Sequence, residues 1–303
     1  MNFADRLIDQ INEKGAPICV GIDPNLERIP ESVIEQVTQG GELDLPTIGT
    51  IFLEFGKGII DAVADLVPAV KLQMAYYEQY GVAGMYAFAQ TCTYAKSKGL
   101  IVIADGKRND IGSTAEAYAK AYLGEVEIGD TQHSIYDIDA LTVTPYLGFD
   151  GIKPFIEECE KHNKGIFILV KTSNPSAGDF QDRVTDEGLR NFEYIAHFVE
   201  SWGADVIGEH GFSSIGAVVG ATYPKDIAKL RKLMPTSFFL VPGYGAQGAD
   251  AEDLKAAFGE DGIGALINAS RSIIYAYEDN DELDYKEAAR AAVIEMREEL
   301  KSV

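Results

Sequence analysis

A lysine set between carboxylates at the end of a strand can hold a proton and deliver it. The segment Asp105-Gly106-Lys107-Arg108-Asn109-Asp110 offers that arrangement. It continues directly from Leu100-Ile101-Val102-Ile103-Ala104, an apolar, β-branched run that spells a buried strand. Side chains two apart on a strand project to one face, so Asp105 and Lys107 are expected together at its C-terminal end. Opposite charges at this range favour the ammonium form, which makes Lys107 the candidate proton donor. The plainer alternative is a surface ion pair worth less than about 1 kcal/mol. Gly106 is expected to let a ligand approach the backbone, and Ser113-Thr114-Ala115-Glu116 reads as a capping box opening the next helix.

Two further charges stand in equivalent places. Lys71 closes the run Pro68-Ala69-Val70-Lys71-Leu72, and Asp23 follows Cys19-Val20-Gly21-Ile22. Asp23, Lys71, Asp105 and Lys107 would then alternate in sign at one end of a sheet. Downstream, Val241-Pro242-Gly243-Tyr244-Gly245-Ala246-Gln247-Gly248 is a glycine-rich turn whose backbone N–H groups can face an anion. Asn268-Ala269-Ser270-Arg271-Ser272 sets an arginine at a helix start, where it can grip a phosphate. Val170-Lys171-Thr172-Ser173-Asn174-Pro175 supplies hydroxyl and amide groups suited to a heterocycle edge, or else a structural turn at Asn174-Pro175.

The elements that must position these residues recur regularly. Apolar runs at 17–22, 68–72, 100–104, 140–143, 165–170, 215–219, 237–241 and 265–268 are candidate strands. Helical periodicity fills 77–98, 114–123, 151–162, 187–202 and 285–301. Continuously apolar strands alternating with helices imply a parallel sheet covered on its faces, and eight such units match a (β/α)8 barrel. A doubly wound open sheet is the competing architecture. No linker or composition shift divides the chain, so residues 1–303 read as a single domain. In a barrel the site lies at the C-terminal face of the strands, with phosphate held after strands seven and eight. The long connections 23–47 and 172–185 would both lie on that face, the second as a candidate lid.

The formal charge of −22 argues against nucleic-acid or anionic-membrane partners, which need a basic surface. An anionic ligand would have to find its positive charge gathered locally. There is no run of about 18 apolar residues and no basic-then-apolar leader, so a cytoplasmic location is expected. Three scattered cysteines without CxxC spacing suit buried thiols, and four scattered histidines offer no metal-ligand spacing.

Taken in order, Gly21-Ile22-Asp23-Pro24, Lys71, Asp105 to Ile111, Thr172-Ser173-Asn174-Pro175, Pro242 to Gly248 and Arg271 resemble the orotidine 5'-phosphate decarboxylase family. The longer bacterial subgroup, type 2, is the nearest in pattern. The resemblance implies a barrel that converts orotidine 5'-monophosphate to UMP and CO2 without metal or organic cofactor. It implies that Lys107 protonates C6 of the pyrimidine and that Asp105 faces the substrate carboxylate. Asp23 and Lys71 would hold the ribose hydroxyls and the charge network, Ser173 the pyrimidine amide edge, and Gln247 and Arg271 the phosphate. Asp110 and Thr114 would reach the neighbouring subunit's site, making a homodimer with shared active sites. Related barrels that carry Asp-x-Lys-x-x-Asp include metal-dependent sugar-phosphate aldolases and decarboxylases, which is one alternative. A non-catalytic nucleotide-binding protein is the other.

Overall fold

Strands buried on both faces need no polar alternation, which is why short Val-, Ile- and Leu-rich runs between helices form a parallel sheet here. The computed structural model describes residues 1–244, 251–280 and 282–301. In chain order the strands are β1 (Ile18–Ile22), β2 (Ala69–Gln73), β3 (Ile101–Arg108), β4 (Val126–Ile128), β5 (Thr131–His133), β6 (Ala140–Val143), β7 (Gly165–Lys171), β8 (Ser213–Val219), β9 (Ser237–Pro242) and β10 (Ala265–Ala269). Eight of them close into a barrel in the order β1-β10-β9-β8-β7-β6-β3-β2, and β4 pairs with β5 as a separate antiparallel hairpin. Pairing of β1 with β10 as well as β2 excludes the open sheet.

The barrel interior changes character along the strand direction. Its lower part is an apolar cluster of Cys19, Ala69, Ile101, Ile103, Ala140, Phe167, Phe238, Leu240 and Leu266. The helix Phe3–Lys14 closes the lower mouth with Phe3, Ala4, Leu7 and Ile8. Gly165 permits this closure, because a Cβ there would lie 2.2 Å from the Phe3 ring. One pleat further up, the inward positions turn polar with Lys71, Asp105, Thr142 and Asn268, all buried. A larger apolar cluster packs the outer faces of the strands against the helices.

Several expected boundaries shift. The 77–98 helix is two, Met74–Glu78 and Gly81–Ser97, broken where Gly81 takes φ +57°. The 187–202 helix begins at Asn191, because Thr185 N–H bonds Leu189 O and Gly188 turns the chain with φ +81°. The capping box at Ser113 does not form. The helix Gly112–Tyr122 starts earlier, with Ile111 as its N-cap and no side-chain cap, so Ser113 already lies within the first turn. The 23–47 connection contains the helix Glu31–Thr38.

Candidate active site

At the C-terminal face the strand ends surround a cavity of about 340 Å³. Asp23, Lys71, Asp105, Lys107, Ser173 and Arg271 all line it, so six of the residues picked from sequence meet there. Register explains the meeting: Gly21 pairs with Lys71, Lys71 with Ile103, and Gln73 with Asp105, which brings successive strand ends to one height.

Asp105 is the hub. Its Oδ1 accepts Lys107 Nζ at 2.6 Å and its Oδ2 accepts Lys71 Nζ at 2.9 Å. Lys71 and Asp105 are only 4% and 8% exposed, whereas about half of the Lys107 side chain is open to the cavity. Burial by itself would push the Asp105 carboxyl up. The charges of Lys71 and Lys107 outweigh that and hold it well below the usual carboxylate range. Burial likewise opposes charge on Lys71, but the Asp105 and Asp23 carboxylates prevail and raise it above its ordinary value. Asp23 stands beside this chain of charges, its Oδ1 buried and without a hydrogen-bond partner among the described residues.

Asp105 and Lys107 share a face, but not by simple alternation. Lys107 has φ +47°, a left-handed conformation, and β3 shifts register against β6 between Ala104 and Arg108. Gly106 does not line this cavity. A Cβ there would lie 2.7 Å from Met74 Sδ, and the glycine lines an adjoining pocket with Gln73, Asp105 and Lys107.

Asp110 and Thr114 do not line the cavity of their own chain. Asp110 Oδ1 accepts the Ile111 N–H at 2.8 Å, and Thr114 is exposed on the helix Gly112–Tyr122. Gln247 lies outside the described residues, while Pro242, Gly243 and Tyr244 of the same turn line the cavity. Arg271 is exposed at the rim, at the start of the short helix Arg271–Ile274.

Other cavity residues were not assigned a role from sequence. Gln73 Nε2 donates to Asp105 Oδ2 at 2.9 Å and Thr142 Oγ1 to Oδ1 at 2.8 Å. Asn268 is 6% exposed, and its Oδ1 has no partner among the described residues. A lone polar residue in an apolar strand, as Thr142 is in Ala140-Leu141-Thr142-Val143, was the available signal.

The connection after β7 is tied down on both sides of Ser173. Thr172 N–H donates to Gln181 Oε1 at 3.0 Å, and Gln181 Nε2 donates back to Thr172 Oγ1 at 2.7 Å. Lys171, fully buried, bonds Asp182 at 2.5 Å with the Phe192 and Tyr223 rings each 4.9 Å from its Nζ. A structural turn does begin at Asn174, which precedes the 3-10 helix Pro175–Ala177.

With this geometry in hand, likeness to known proteins decides the kind of site. The pattern of the "Orotidine 5'-phosphate decarboxylase / HUMPS family" matches residues 17–285. The chain belongs to that family. A relative from Caldicellulosiruptor bescii named orotidine 5'-phosphate decarboxylase is 44% identical over 300 residues, covering 99% of this chain and 98% of the relative. One of the same name from Rhodopirellula baltica is 45% identical over 307 residues, covering 99% of each. The solved structure of Leishmania donovani OMP decarboxylase superposes with a TM-score of 0.76 at 27% identity, over 100% of this chain and 98% of that one. The Methanocaldococcus jannaschii enzyme, solved with the inhibitor BMP, shares the fold with a TM-score of 0.60 at 17% identity, over 93% of this chain and 97% of that one. Family membership fits a closed barrel with its charged residues gathered at the strand ends.

Among the described residues, no His, Cys, Asp and Glu side chains form a group of three or more able to hold a metal ion. No helix among them is long and apolar enough to cross a membrane.

Proposed function

We propose that this chain decarboxylates orotidine 5'-monophosphate to UMP and CO2, and that Lys107 supplies the proton. The observation that carries the reading is the 2.6 Å contact between Lys107 Nζ and Asp105 on the cavity floor, in a chain of this family. When the bond from C6 to the carboxylate breaks, its electron pair stays on C6 with no adjacent electron sink. The developing charge must therefore be met by fixed charges nearby. Lys107 provides one and then gives its proton to C6 as CO2 leaves. Asp105 would face the departing carboxylate. Two unit charges about 4 Å apart repel by roughly 4 kcal/mol at an effective dielectric of 20.

Asp23 and Lys71 would hold the ribose hydroxyls, Ser173 the pyrimidine edge, and Arg271 with Gln247 the phosphate. Binding energy from the phosphate, remote from C6, would serve to order the site. The same reading makes the protein a cytoplasmic homodimer in which Asp110 and Thr114 complete the neighbour's site. Exposed apolar side chains support an interface here: Ile111, Tyr146, Leu147 and Phe149 are 53%, 72%, 44% and 45% exposed, and Ile111 adjoins Asp110.

Purified protein in EDTA should bleach the ultraviolet band of orotidine 5'-monophosphate, and Lys107→Ala should abolish this while UMP still binds. No change in the band with the parent protein would sink the assignment. Activity lost in EDTA and restored by magnesium would favour the metal-dependent sugar-phosphate barrels instead. Mixing inactive Lys107→Ala with inactive Asp110→Ala should restore partial activity. None recovered, despite demonstrated subunit exchange, would rule out a shared site.

A further inference from the structure

Asp105 accepts four hydrogen bonds, and two of them come from neutral side chains, Thr142 on Oδ1 and Gln73 on Oδ2. A carboxylate offers about four lone-pair sites, so this one is filled and has no freedom to rotate. The Thr142 hydroxyl has a single proton, which goes to Asp105. As an acceptor it takes the backbone N–H of Lys107 at 2.9 Å. The bonds therefore close a cycle: Lys107 N–H to Thr142, Thr142 O–H to Asp105, and Lys107 Nζ back to Asp105.

The cycle sits where β3 departs from regular geometry. Lys107 holds a left-handed φ that side chains disfavour, at the step where β3 slips register against β6. Its N–H bonds the β6 side chain Thr142. Thr142 is 1% exposed in an apolar run, where valine would pack as well and satisfy nothing. A hydroxyl in this place is explained by the two bonds it makes.

We propose that Thr142 and Gln73 are positioning residues of the reaction. Thr142 couples the Lys107 backbone to Asp105 Oδ1, and Gln73 fixes Oδ2, so that Lys107 Nζ is presented at one point above the cavity floor. This rests on the decarboxylase reading, and the test separates the two. Steady-state kinetics on orotidine 5'-monophosphate are compared for the parent, Thr142→Val, Thr142→Ser and Gln73→Leu, together with UMP affinity. Hydrogen bonds to charged groups of this kind correspond to about 10- to 100-fold in rate. Thr142→Val should lower kcat by about that factor with UMP affinity held, Thr142→Ser should recover most of the loss, and Gln73→Leu should lower kcat by a smaller factor.

An active parent beside a Thr142→Val variant of equal kcat would overturn the proposal. So would equal loss in the serine and valine variants, which is the mark of a packing role. If Thr142→Val does not fold, Gln73→Leu at the cavity rim decides, and unchanged kcat there overturns the proposal. An inactive parent refutes the decarboxylase reading alone. In that case a crystal structure of Thr142→Val still decides: Lys107 keeping its φ and its Nζ position would refute the coupling.

Discussion

The ion pair beside Ser173 is lopsided in burial, and that fixes an order of effects for its variants. The Lys171 side chain is 2% exposed while that of Asp182 is 41% exposed. Asp182→Asn strands an ammonium in the interior. Removing one partner of a buried pair costs about 3–5 kcal/mol. The Phe192 and Tyr223 ring faces, each 4.9 Å away, can return up to about 2 kcal/mol, and with all of that returned the net loss is about 1–3 kcal/mol. Lys171→Met instead leaves a carboxylate that water can reach and puts an apolar chain between two rings, at a cost of about 1 kcal/mol or less. The double variant should match Lys171→Met, since no stranded charge remains. Urea unfolding of the four proteins gives the comparison, and KM for the nucleotide should follow the same order because Thr172 and Ser173 adjoin the pair. Asp182→Asn no less stable than Lys171→Met would refute this account of how the segment is held.

Two other perturbations read separate features. A Cβ on Gly220 would lie 2.9 Å from Ser173 N and 3.0 Å from Ser173 Cβ, so Gly220→Ala should displace Ser173. KM should rise about tenfold, equivalent to roughly 1.4 kcal/mol, with kcat less affected, and an unchanged KM would remove Ser173 from the ligand contact. Asp139 is fully buried; burial would raise its carboxyl, but Lys96 and Arg6 hold it below its ordinary 3.8. A carboxyl lowered by folding contributes stability above its unfolded value and loses it as pH falls below that value. The parent should therefore lose urea resistance more steeply than Asp139→Asn between pH 5 and 3, and parallel curves would count against this ion pair as an acid-sensitive element.

Strands were the most legible part of the sequence because each is buried on both sides, which leaves an uninterrupted apolar run. The charges were legible too: a charge late in such a run needs oppositely charged or polar company, and Asp23, Lys71 and Asp105 find it around one cavity. Helix starts were less so. Ser113-Thr114-Ala115-Glu116 has capping chemistry, but the chain leaving β3 begins its helix at Gly112, ahead of the motif. The partners of Asp105 were hidden for a different reason. Thr142 and Gln73 reach it from neighbouring strands, and that adjacency depends on the register of a closed barrel rather than on spacing along the chain. The Lys171–Asp182 tie was missed because the register shift after Leu169 accompanies a Lys171 side chain directed away from the cavity that Leu169 lines.

The left-handed backbone at Lys107 bears on design. A graft of Asp-Gly-Lys onto a regular strand of another barrel would copy the letters and lose the arrangement, since the ammonium is aimed by a slipped register and by a hydroxyl on the adjacent strand. The smallest portable unit is two neighbouring strand ends with their offset intact. Insertions or deletions in either strand should be tolerated far less well than their sequence alone would suggest.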